Sequence, residues 1–494
     1  MSRFYSLTQR VLRRAVRYYF SEIQASGQEL IPAKGPLIFA ANHPNSIMDT
    51  VLLGTQTRRQ IRYMARSGLF KNLAARALFH EFGVIPIYRA EDGRGTDQNE
   101  DSFEEAYRAL EEGGCIGIFP EGQNSPERMV RDLKTGTARI ALAAEARNDF
   151  ELGARIQPVG LNFEDRDRFL SRVLIRFGEP IEVADYAERY IEDPREAVRE
   201  LTARLQEEMR RLSTHIQDER NHELVSEIRA IYGAKLKAQL LAPDALALDL
   251  YDRSGRQERL EASPDPRNTS LLEERFEQEQ RIADAVAFFQ KHDPAVVGRV
   301  RMDVRRYRDH LSQLRIRDGL LDERAGERRR HREALKLTLF FVSLGPVAIY
   351  GLLNNIVPAL LVRLFTRRAP DEAIVAISAF VSGLVAFPLF YGLQAWALAR
   401  YAELHPLLIA FYVLSLPTAG IFFLRWWRQI LVYRDRIISR TFFRTRKNLL
   451  AAVERERQRL IAGFDALQAR YVEDLRRASA EAGQPVPQLE ESAT

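Results

Sequence analysis

The sequence predicts an α/β domain, followed by a helical extension and C-terminal transmembrane helices. Between residues 35 and 181, short apolar runs alternate with stretches of helical character, which is typical of an α/β sheet. Residues 191–335 are highly charged and largely helical in pattern. Beyond residue 336, three charge-free runs approach or exceed the roughly 20 residues that a helix needs to cross a bilayer.

Composition limits the classes of partner. The chain has 494 residues, of which 28% are charged, and its net charge is +6. This excess of positive charge suits nucleic acid, an anionic membrane surface or anionic small molecules, and the apolar runs favour the membrane over nucleic acid. The single cysteine, Cys115, excludes an internal disulfide. The first residues lack an unbroken apolar stretch, so we expect no cleavable signal peptide.

Residues 3–20 form the first predicted element, an amphipathic helix rich in arginine. Its apolar positions are Phe4, Leu7, Val11, Leu12, Val16 and Tyr19, and its basic positions are Arg3, Arg10, Arg13, Arg14 and Arg17. Such a helix either lies in a membrane interface, with its basic side toward anionic headgroups, or packs on its own domain. The pattern leaves both interpretations open.

Six strands are predicted in the α/β region. They cover residues 37–41, 62–64, 84–87, 116–119, 156–161 and 173–177. The helix after Asp101 has a capping-box pattern in Ser102 and Glu105 and ends at two glycines, 113 and 114. The strand that follows these glycines leads into Glu121 at the edge of the sheet, where functional residues of open α/β sheets gather.

The segment 41–49 (ANHPNSIMD) follows the first of these strands. It predicts a turn into a helix that starts near Ile47, with Ser46 as the N-cap. Asp49 then lies in the first helical turn, where side chains tilt back toward the turn that holds His43. A base and its orienting carboxylate can meet there. The alternative is an ordinary helix cap at Ser46 beside a hydrogen-bonded loop histidine.

Four ordered blocks resemble the glycerolipid acyltransferase superfamily of lysophospholipid and glycerol-3-phosphate acyltransferases. They are residues 41–49 (ANHPNSIMD), 83–89 (GVIPIYR), 119–122 (FPEG) and 156–162 (IQPVGLN). The resemblance covers residues 35–181 and implies a mixed sheet flanked by helices. Five residues separate His43 from Asp49, whereas the usual pattern has four. That spacing looks most like the fungal-type glycerol-3-phosphate and dihydroxyacetone-phosphate acyltransferases, and it makes the direct contact of His43 with Asp49 the feature to test.

The motif residues suggest a division of chemical roles. His43 is the one histidine of eight in a motif with a nearby acid, so we assign it as the general base for a substrate hydroxyl, oriented by Asp49. No Gly-x-Ser-x-Gly elbow supplies an enzyme nucleophile. The resemblance implies that the remaining site residues bind the substrate: Arg89 and, more weakly, Arg66 for its phosphate, Glu121 and Gly122 for its glycerol-type backbone, and Asn124 and Ser125 beside them.

Two departures from the family pattern bear on these roles. Residues 123–125 (QNS) replace the common Thr-Arg-Ser, which removes a positive charge that Arg128, Arg131 or Lys134 could restore. Without the resemblance, Arg89 is equally well explained as a surface arginine paired with a neighbouring acid. The sequence has no phosphate loop, dinucleotide fingerprint or metal-binding pattern, so no cofactor is expected. The acyl donor, coenzyme A or acyl carrier protein thioester, would be a substrate.

The region after residue 191 is predicted to be helical and carries no chemical motif. Asp193, Pro194 and Glu196 form a strong helix start. Residues 448–480 form an amphipathic helix, which either packs on the charged helices before the membrane region or pairs as a homodimeric coiled coil.

Three apolar runs define the membrane region: residues 337–362, 373–399 and 406–424. Glycine, asparagine and proline interrupt the first, so we expect it to enter and return as a re-entrant hairpin, with two true crossings after it. Arginine flanks the runs, and the positive-inside tendency then puts residues 1–332 and 426–494 in the cytoplasm. We expect an integral protein of a bacterial inner membrane.

The predicted organisation has five parts. Residues 1–34 form the N-terminal helix, 35–190 the acyltransferase domain, 191–335 the charged helical region, 336–425 the membrane region and 426–494 the helical tail.

The leading functional hypothesis is a membrane-bound acyltransferase acting on glycerol-3-phosphate or dihydroxyacetone phosphate. Acylation of lysophosphatidate is the alternative within the enzyme class. A non-catalytic membrane scaffold or lysolipid-moving protein is the alternative of another class, because over half of the chain lies outside the acyltransferase domain.

Overall fold

The structure is a computed structural model. It describes residues 3–67, 80–88, 99–124, 128–166, 168–216, 218–240, 271–313, 330–367, 372–445 and 447–481. The chain divides into two compact units, one of residues 1–215 with 356–409 and the other of residues 216–355 with 410–494.

A mixed sheet forms the centre of the first unit. Its described strands are β1 (Glu22–Ser26), β2 (Leu37–Ala41), β3 (Ile61–Arg66), β4 (Ile85–Ile87), β5 (Cys115–Ile118), β6 (Arg155–Phe163), β7 (Arg172–Phe177) and β8 (Ile181–Glu182). The strand order is β1-β7-β6-β2-β5-β3-β4, and β8 pairs with β6. All six strands predicted from the sequence are present, whereas β1 and β8 were not predicted.

The strands that carry the motifs run parallel. β2 lies between β5 and β6 and is parallel to both, β5 is parallel to β3, and β3 is parallel to β4. The pairs of β7 and β8 with β6 are antiparallel. Because the carboxyl ends of parallel strands lie at one edge of a sheet, the segments that follow β2, β3, β4 and β5 start from the same edge.

Helices cover both faces of the sheet. The described helices of the first unit before residue 215 are α1 (Arg3–Tyr19), α2 (Ile47–Gln56), α3 (Asn99–Glu111), α4 (Gly136–Ala146), α5 (Ala187–Glu192) and α6 (Pro194–Leu212). Successive residues of β2 face opposite layers: Ile38 packs with α3, α4 and α6, whereas Phe39 packs with α1 and α2. This alternation follows from the two-residue period of a strand.

Two predicted helix starts have different outcomes. The Asp193 side chain accepts hydrogen bonds from the backbone amides of Arg195 and Glu196, which confirms the start of α6. The capping box predicted at Ser102 is wrong, because α3 already includes Asn99. The Ser102 hydroxyl instead donates to the Pro86 carbonyl at 2.5 Å, and so links α3 to β4.

Helix α1 packs on the sheet domain with one face and exposes the other. Val16 and Phe20 are buried against α2 and the sheet, and Arg13 donates through Nε to the Thr55 carbonyl at the end of α2. The exposed face combines apolar and basic side chains: Leu7, Val11 and Tyr18 with Arg10, Arg14 and Arg17. The helix therefore packs on its own domain, as one of the two interpretations predicted, and the membrane interpretation stays a prediction for the exposed face.

The second unit contains a cluster of long helices. Its members are α7 (His222–Leu240), α8 (Leu271–His292), α9 (Pro294–Gln313) and α13 (Lys447–Glu481). Val453 and Phe464 of the tail helix are buried against apolar residues of the other three. Tyr232 donates a hydrogen bond to Asp465 at 2.7 Å. The tail therefore packs on the charged helices, as one of the two sequence interpretations predicted.

Among the described residues, three helices are long and apolar enough to cross a membrane: α10 (Arg330–Thr366), α11 (Glu372–Tyr401) and α12 (Pro406–Thr445). The re-entrant hairpin predicted in the first run is wrong, because α10 is one continuous helix through residues 345–358. Hydrogen bonds within α10 and to α12 satisfy the two asparagines of this stretch. Asn355 donates to the carbonyls of Gly351 and Leu416, and Tyr412 donates to Asn354.

Helix α11 is part of the first unit. Phe380 is buried in the same cluster as α1 and α2, and its ring lies 5.9 Å from that of Tyr19. Farther along the helix, large apolar side chains such as Val385, Leu389 and Trp396 are exposed. One end of this apolar helix is thus fastened to the sheet domain.

Candidate active site

His43 and Asp49 meet at the carboxyl end of β2. The chain leaves β2 at Ala41, turns through residues 42–46 and enters α2 at Ile47, so Asp49 lies in the first turn of α2. The distance from His43 Nδ1 to Asp49 Oδ2 is 2.9 Å. The five residues between His43 and Asp49, one more than in the usual pattern, therefore still allow the two side chains to meet.

The hydrogen bond determines which nitrogen of His43 can act as a base. A carboxylate oxygen only accepts, so Nδ1 carries the proton and Nε2 presents a lone pair. Asp49 is fully buried, and this burial raises the pKa of its carboxyl, while the hydrogen bonds from His43 and from the Asn45 amide oppose the rise. The His43 side chain is 19% exposed, so it is reachable from outside the core.

Phe119 positions the imidazole from the neighbouring strand. It directly follows β5, and its ring stacks on that of His43 with centroids 4.0 Å apart and planes 16° from parallel. Together with Asp49, this stacking restricts both the direction and the tilt of the ring.

The block that starts at Phe119 forms a tight turn beside His43. The Gly122 amide donates to the Phe119 carbonyl at 3.0 Å, and Gly122 has a φ of 74°. A side chain at this position would be strained by the backbone angle and would come within 3.3 Å of Lys134. Glycine therefore suits the turn that brings Glu121 close to the backbone amide of His43.

Glu121 is a buried acid with an unusual proton affinity. It is 3% exposed, and neither carboxyl oxygen makes a hydrogen bond of ordinary geometry within the described residues. Burial raises the pKa of Glu121 to about 7, although the nearby backbone amide of His43 and the charge of Arg131 lower it in part. The residue therefore exchanges its proton near neutral pH.

We expect Glu121→Gln to stabilise the protein at high pH. A folded-state pKa of about 7, above the ordinary 4.5, means that the folded state holds a proton that the unfolded state has lost. The free energy of unfolding then falls as pH rises from 4.5 to 7, by about 1.4 kcal/mol per unit, or about 3 kcal/mol in total. Glutamine removes this loss. Melting temperatures in one detergent at pH 5 and pH 8 test it, with the exposed Glu188→Gln as control.

The variant should gain over the parent mainly at pH 8, and Glu188→Gln should gain at neither pH. An equal difference between Glu121→Gln and the parent at both pH values would contradict the raised pKa.

The fourth block fastens the residue before the histidine. The Asn42 amide nitrogen donates to the Leu161 carbonyl at 3.1 Å, and its oxygen accepts from the Leu161 amide at 2.7 Å. This pair of bonds continues the pairing of β2 with β6 by one side chain. The block thus supports the turn that holds His43.

The other predicted site residues have different outcomes. Arg66 ends β3 and is exposed, paired in register with Ile87 at the end of β4. Asn124 lies next to the turn, where its Oδ1 accepts from the Ser46 amide at 2.9 Å. Arg89 and Ser125 lie outside the described residues.

Of the three basic residues that could restore the missing charge, Arg131 acts on Glu121. It is close enough to lower the pKa of that acid. Arg128 donates to the Glu164 carbonyl at 2.6 Å, and the stem of Lys134 packs on Gly122.

Sequence reasoning missed the supporting contacts of Asn42, Phe119 and Asn45. Asn42 and Phe119 belong to the quoted blocks, so the sequence shows that they are neighbours of His43 and Glu121. It does not show their contacts, because ring stacking and side-chain bonds to the backbone produce no periodic pattern. Asn45 is buried, and its side chain donates to the Arg166 carbonyl at 2.8 Å. Nothing in the sequence indicates that contact across more than a hundred residues.

Comparison with known proteins points to one family. Residues 22–162 match the Acyltransferase family. Over 108 residues the chain is 36% identical to "Glycerol-3-phosphate O-acyltransferase 2" of Saccharomyces cerevisiae, a match that covers 22% of this chain and 14% of that protein. "Glycerol-3-phosphate O-acyltransferase 1" of the same yeast is 28% identical over 144 residues, which cover 28% of this chain and 19% of that protein.

A bacterial relative is matched over more of its own length. "1-acyl-sn-glycerol-3-phosphate acyltransferase" of Bacillus subtilis is 25% identical over 169 residues, which cover 33% of this chain and 76% of that protein. The matches to the two yeast proteins span less than a fifth of their lengths.

Proposed function

From the membership of residues 22–162 in the Acyltransferase family, we propose that this protein is a membrane-bound O-acyltransferase of phospholipid biosynthesis. It moves a fatty acyl group from acyl-CoA, or from acyl carrier protein, to glycerol-3-phosphate or dihydroxyacetone phosphate. The observation that carries the proposal is the 2.9 Å contact of His43 Nδ1 with Asp49 Oδ2. It creates a base with its orienting acid at the sheet edge where the motif segments gather.

The proposed step is direct transfer to the acceptor. His43 Nε2 takes the proton of the acceptor hydroxyl while the hydroxyl oxygen attacks the thioester carbonyl. The tetrahedral intermediate collapses with loss of the thiolate, which takes the proton back from His43. Asp49 stabilises the imidazolium formed in between. The chain's one cysteine is a poor nucleophile, because it is buried and burial raises the pKa of its thiol to about 12.

Basic and acidic groups around this edge suit a phosphate-bearing acceptor. By resemblance, Arg89 binds the phosphate with Arg66 as a weaker candidate, because a guanidinium binds phosphate oxygens through two parallel hydrogen bonds. Glu121 and Gly122 hold the acceptor backbone, with Ser125 beside them. The exposed position of Arg66 at the end of β3 supports its access to a soluble acceptor.

An acceptor panel tests the proposal. Purified protein is given labelled acyl-CoA or acyl carrier protein thioester, with glycerol-3-phosphate, dihydroxyacetone phosphate or lysophosphatidate. We expect label in the acylated product of one of the first two acceptors. Absence of transfer to all three acceptors from both donors would overturn the proposal.

The second candidate is acylation of lysophosphatidate. It is favoured by the Bacillus relative, because that protein is named as an acyltransferase of 1-acyl-sn-glycerol-3-phosphate, which is lysophosphatidate. The match covers 76% of that relative's length. Preferential labelling of phosphatidate in the same panel would select it.

We also propose that the protein works at a membrane surface with its sheet domain in the cytoplasm. Support comes from three helices long enough to cross a bilayer and from the arginine residues that flank them. The packing of α13 on α7, α8 and α9 favours a common side for the tail and the helices before the membrane region, so we expect an even number of complete crossings among the three apolar helices. The yeast relatives give no support to the bacterial inner membrane expected from the sequence.

The exposed face of α1 provides a test of this placement. We expect the triple change of Arg10, Arg14 and Arg17 to glutamate to lower transfer from long-chain acyl-CoA in anionic vesicles, because these side chains flank exposed Leu7 and Val11. Transfer from a short, soluble acyl-CoA should change little. The matched control is the same charge change on the exposed face of α9, at Arg299, Arg305 and Arg306.

Equal losses with both donors would mean that the face of α1 is only part of the fold. A loss in the α9 control as large as in the α1 variant would trace the effect to net charge.

A further inference from the structure

The turn between β2 and α2 contains a residue in a conformation that normally selects glycine. Ser46 has a φ of 49° and a ψ of −130°, and the Met48 amide donates to the Asn45 carbonyl at 3.1 Å. This is a β-turn with a positive φ at its second position, which glycine adopts without strain and serine does not. The Ser46 side chain makes no capping hydrogen bond, so the usual capping of a helix does not account for it.

Contacts from outside the turn hold this conformation. The Ser46 amide donates to Asn124 Oδ1 at 2.9 Å, and the Asn45 side chain donates to the Arg166 carbonyl at 2.8 Å. Asn124 belongs to the segment after β5, which is far from the turn in sequence. One long-range side chain thus satisfies the amide of the strained residue.

The same turn also holds Asp49, the acid of the proposed catalytic pair. The Asn45 amide donates to Asp49 Oδ2 at 2.7 Å, and His43 Nδ1 contacts the same oxygen at 2.9 Å. Asp49 Oδ1 is buried and has no hydrogen-bond partner within the described residues. A shift of the turn would therefore move Asp49 relative to His43, and no second contact of the carboxylate would compensate.

We propose that Asn124 is a positioning residue, which holds the Ser46 peptide and thereby sets the distance between His43 and Asp49. The two departures of this sequence from the usual pattern are joined by this hydrogen bond. One is the fifth residue between His43 and Asp49, and the other is asparagine where the pattern has arginine. The longer turn needs an acceptor for its extra amide, and Asn124 provides it.

The kinetic test compares a variant that lacks an acceptor atom at residue 124 with one that keeps it. Asn124→Leu keeps the size of the side chain and removes the acceptor, whereas Asn124→Asp keeps an acceptor oxygen. We expect Asn124→Leu to lower kcat by up to about 10²-fold, the order expected when a reacting group shifts by about 1 Å, with the acceptor KM unchanged. Asn124→Asp should retain most of kcat. The exposed neighbour Gln123→Leu is the matched control and should resemble the parent.

A second change separates positioning from substrate binding. Ser46→Gly permits the positive φ without strain, so in the Asn124→Leu protein it should restore part of kcat. Melting temperatures of the parent, both single variants and the double variant should show the same coupling. A raised acceptor KM with unchanged kcat in Asn124→Leu would overturn the proposal. A double variant in which Ser46→Gly restores neither kcat nor the melting temperature would also overturn it.

This inference rests on the proposed function only for its kinetic readout. If the parent transfers acyl groups to none of the acceptors, the proposed function fails, and the coupling in melting temperature still decides whether Asn124 holds the turn.

Discussion

Replacement of His43 by alanine is expected to lower kcat for acyl transfer by about 10²- to 10⁴-fold, the contribution of a positioned general base. The acceptor KM should change little, because His43 acts on the proton that moves in the transition state and does not bind the phosphate. Steady-state rates with the best acceptor of the panel, at saturating donor, measure the effect.

Two controls make the His43 result specific. His292→Ala removes a histidine from α8 in the other unit and should keep the parent rate. Membrane fractionation should find the His43 variant where the parent is found. A non-catalytic scaffold or lysolipid-moving protein predicts the opposite pattern, in which the His43 change leaves the cellular phenotype intact.

Asp49→Asn is expected to cause the second largest loss, about 10²- to 10⁴-fold in kcat. Asparagine has nearly the same shape and its oxygen can still accept from the Asn45 amide, but its neutral side chain no longer stabilises the imidazolium that forms during transfer. The same assay measures it, together with the melting temperature.

The melting temperature separates chemistry from misfolding. Burial raises the pKa of Asp49, so a neutral amide is not expected to lower the stability of the fold. A parent-like kcat in Asp49→Asn would contradict the orienting role. A loss of activity accompanied by a large fall in melting temperature would trace the loss to unfolding.

The sheet was predictable because its strands are buried apolar runs. β2 is an example: its sequence of Leu, Ile, Phe and Ala is entirely apolar, and the strand is buried along its whole length. β1 was not predicted, since Glu22–Ser26 contains mostly polar residues and lies at the edge of the sheet. β8 has two residues, too few for a pattern.

The sequence singled out His43 and Asp49 as a candidate pair but left their contact open. The spacing of His43 and Asp49 indicated their roles, whereas the positive φ of Ser46 that brings them together has no signature in a serine. Asn124 was interpreted as a substrate-binding residue from its place in the third block. Its contact with the Ser46 amide crosses 78 positions of sequence, which local patterns do not record.

The membrane region shows that helix-breaking residues within an apolar run do not always interrupt the helix. Proline, glycine and asparagine within an apolar run predicted a re-entrant hairpin, and α10 is nevertheless continuous. Asn355 bonds within its own helix and to Leu416 of α12, so a neighbouring helix satisfies groups that the sequence left unpaired.

The most direct test of the account follows the acyl group itself. Purified protein is mixed with acyl-labelled CoA, first without acceptor and then with glycerol-3-phosphate or dihydroxyacetone phosphate, and label is measured on protein, on acceptor and in free fatty acid. Direct transfer activated by His43 predicts that label leaves CoA only when acceptor is present and passes to the acceptor without attachment to protein. Protein-bound label formed before acceptor is added, or loss of label from CoA that acceptor does not affect, would contradict the account.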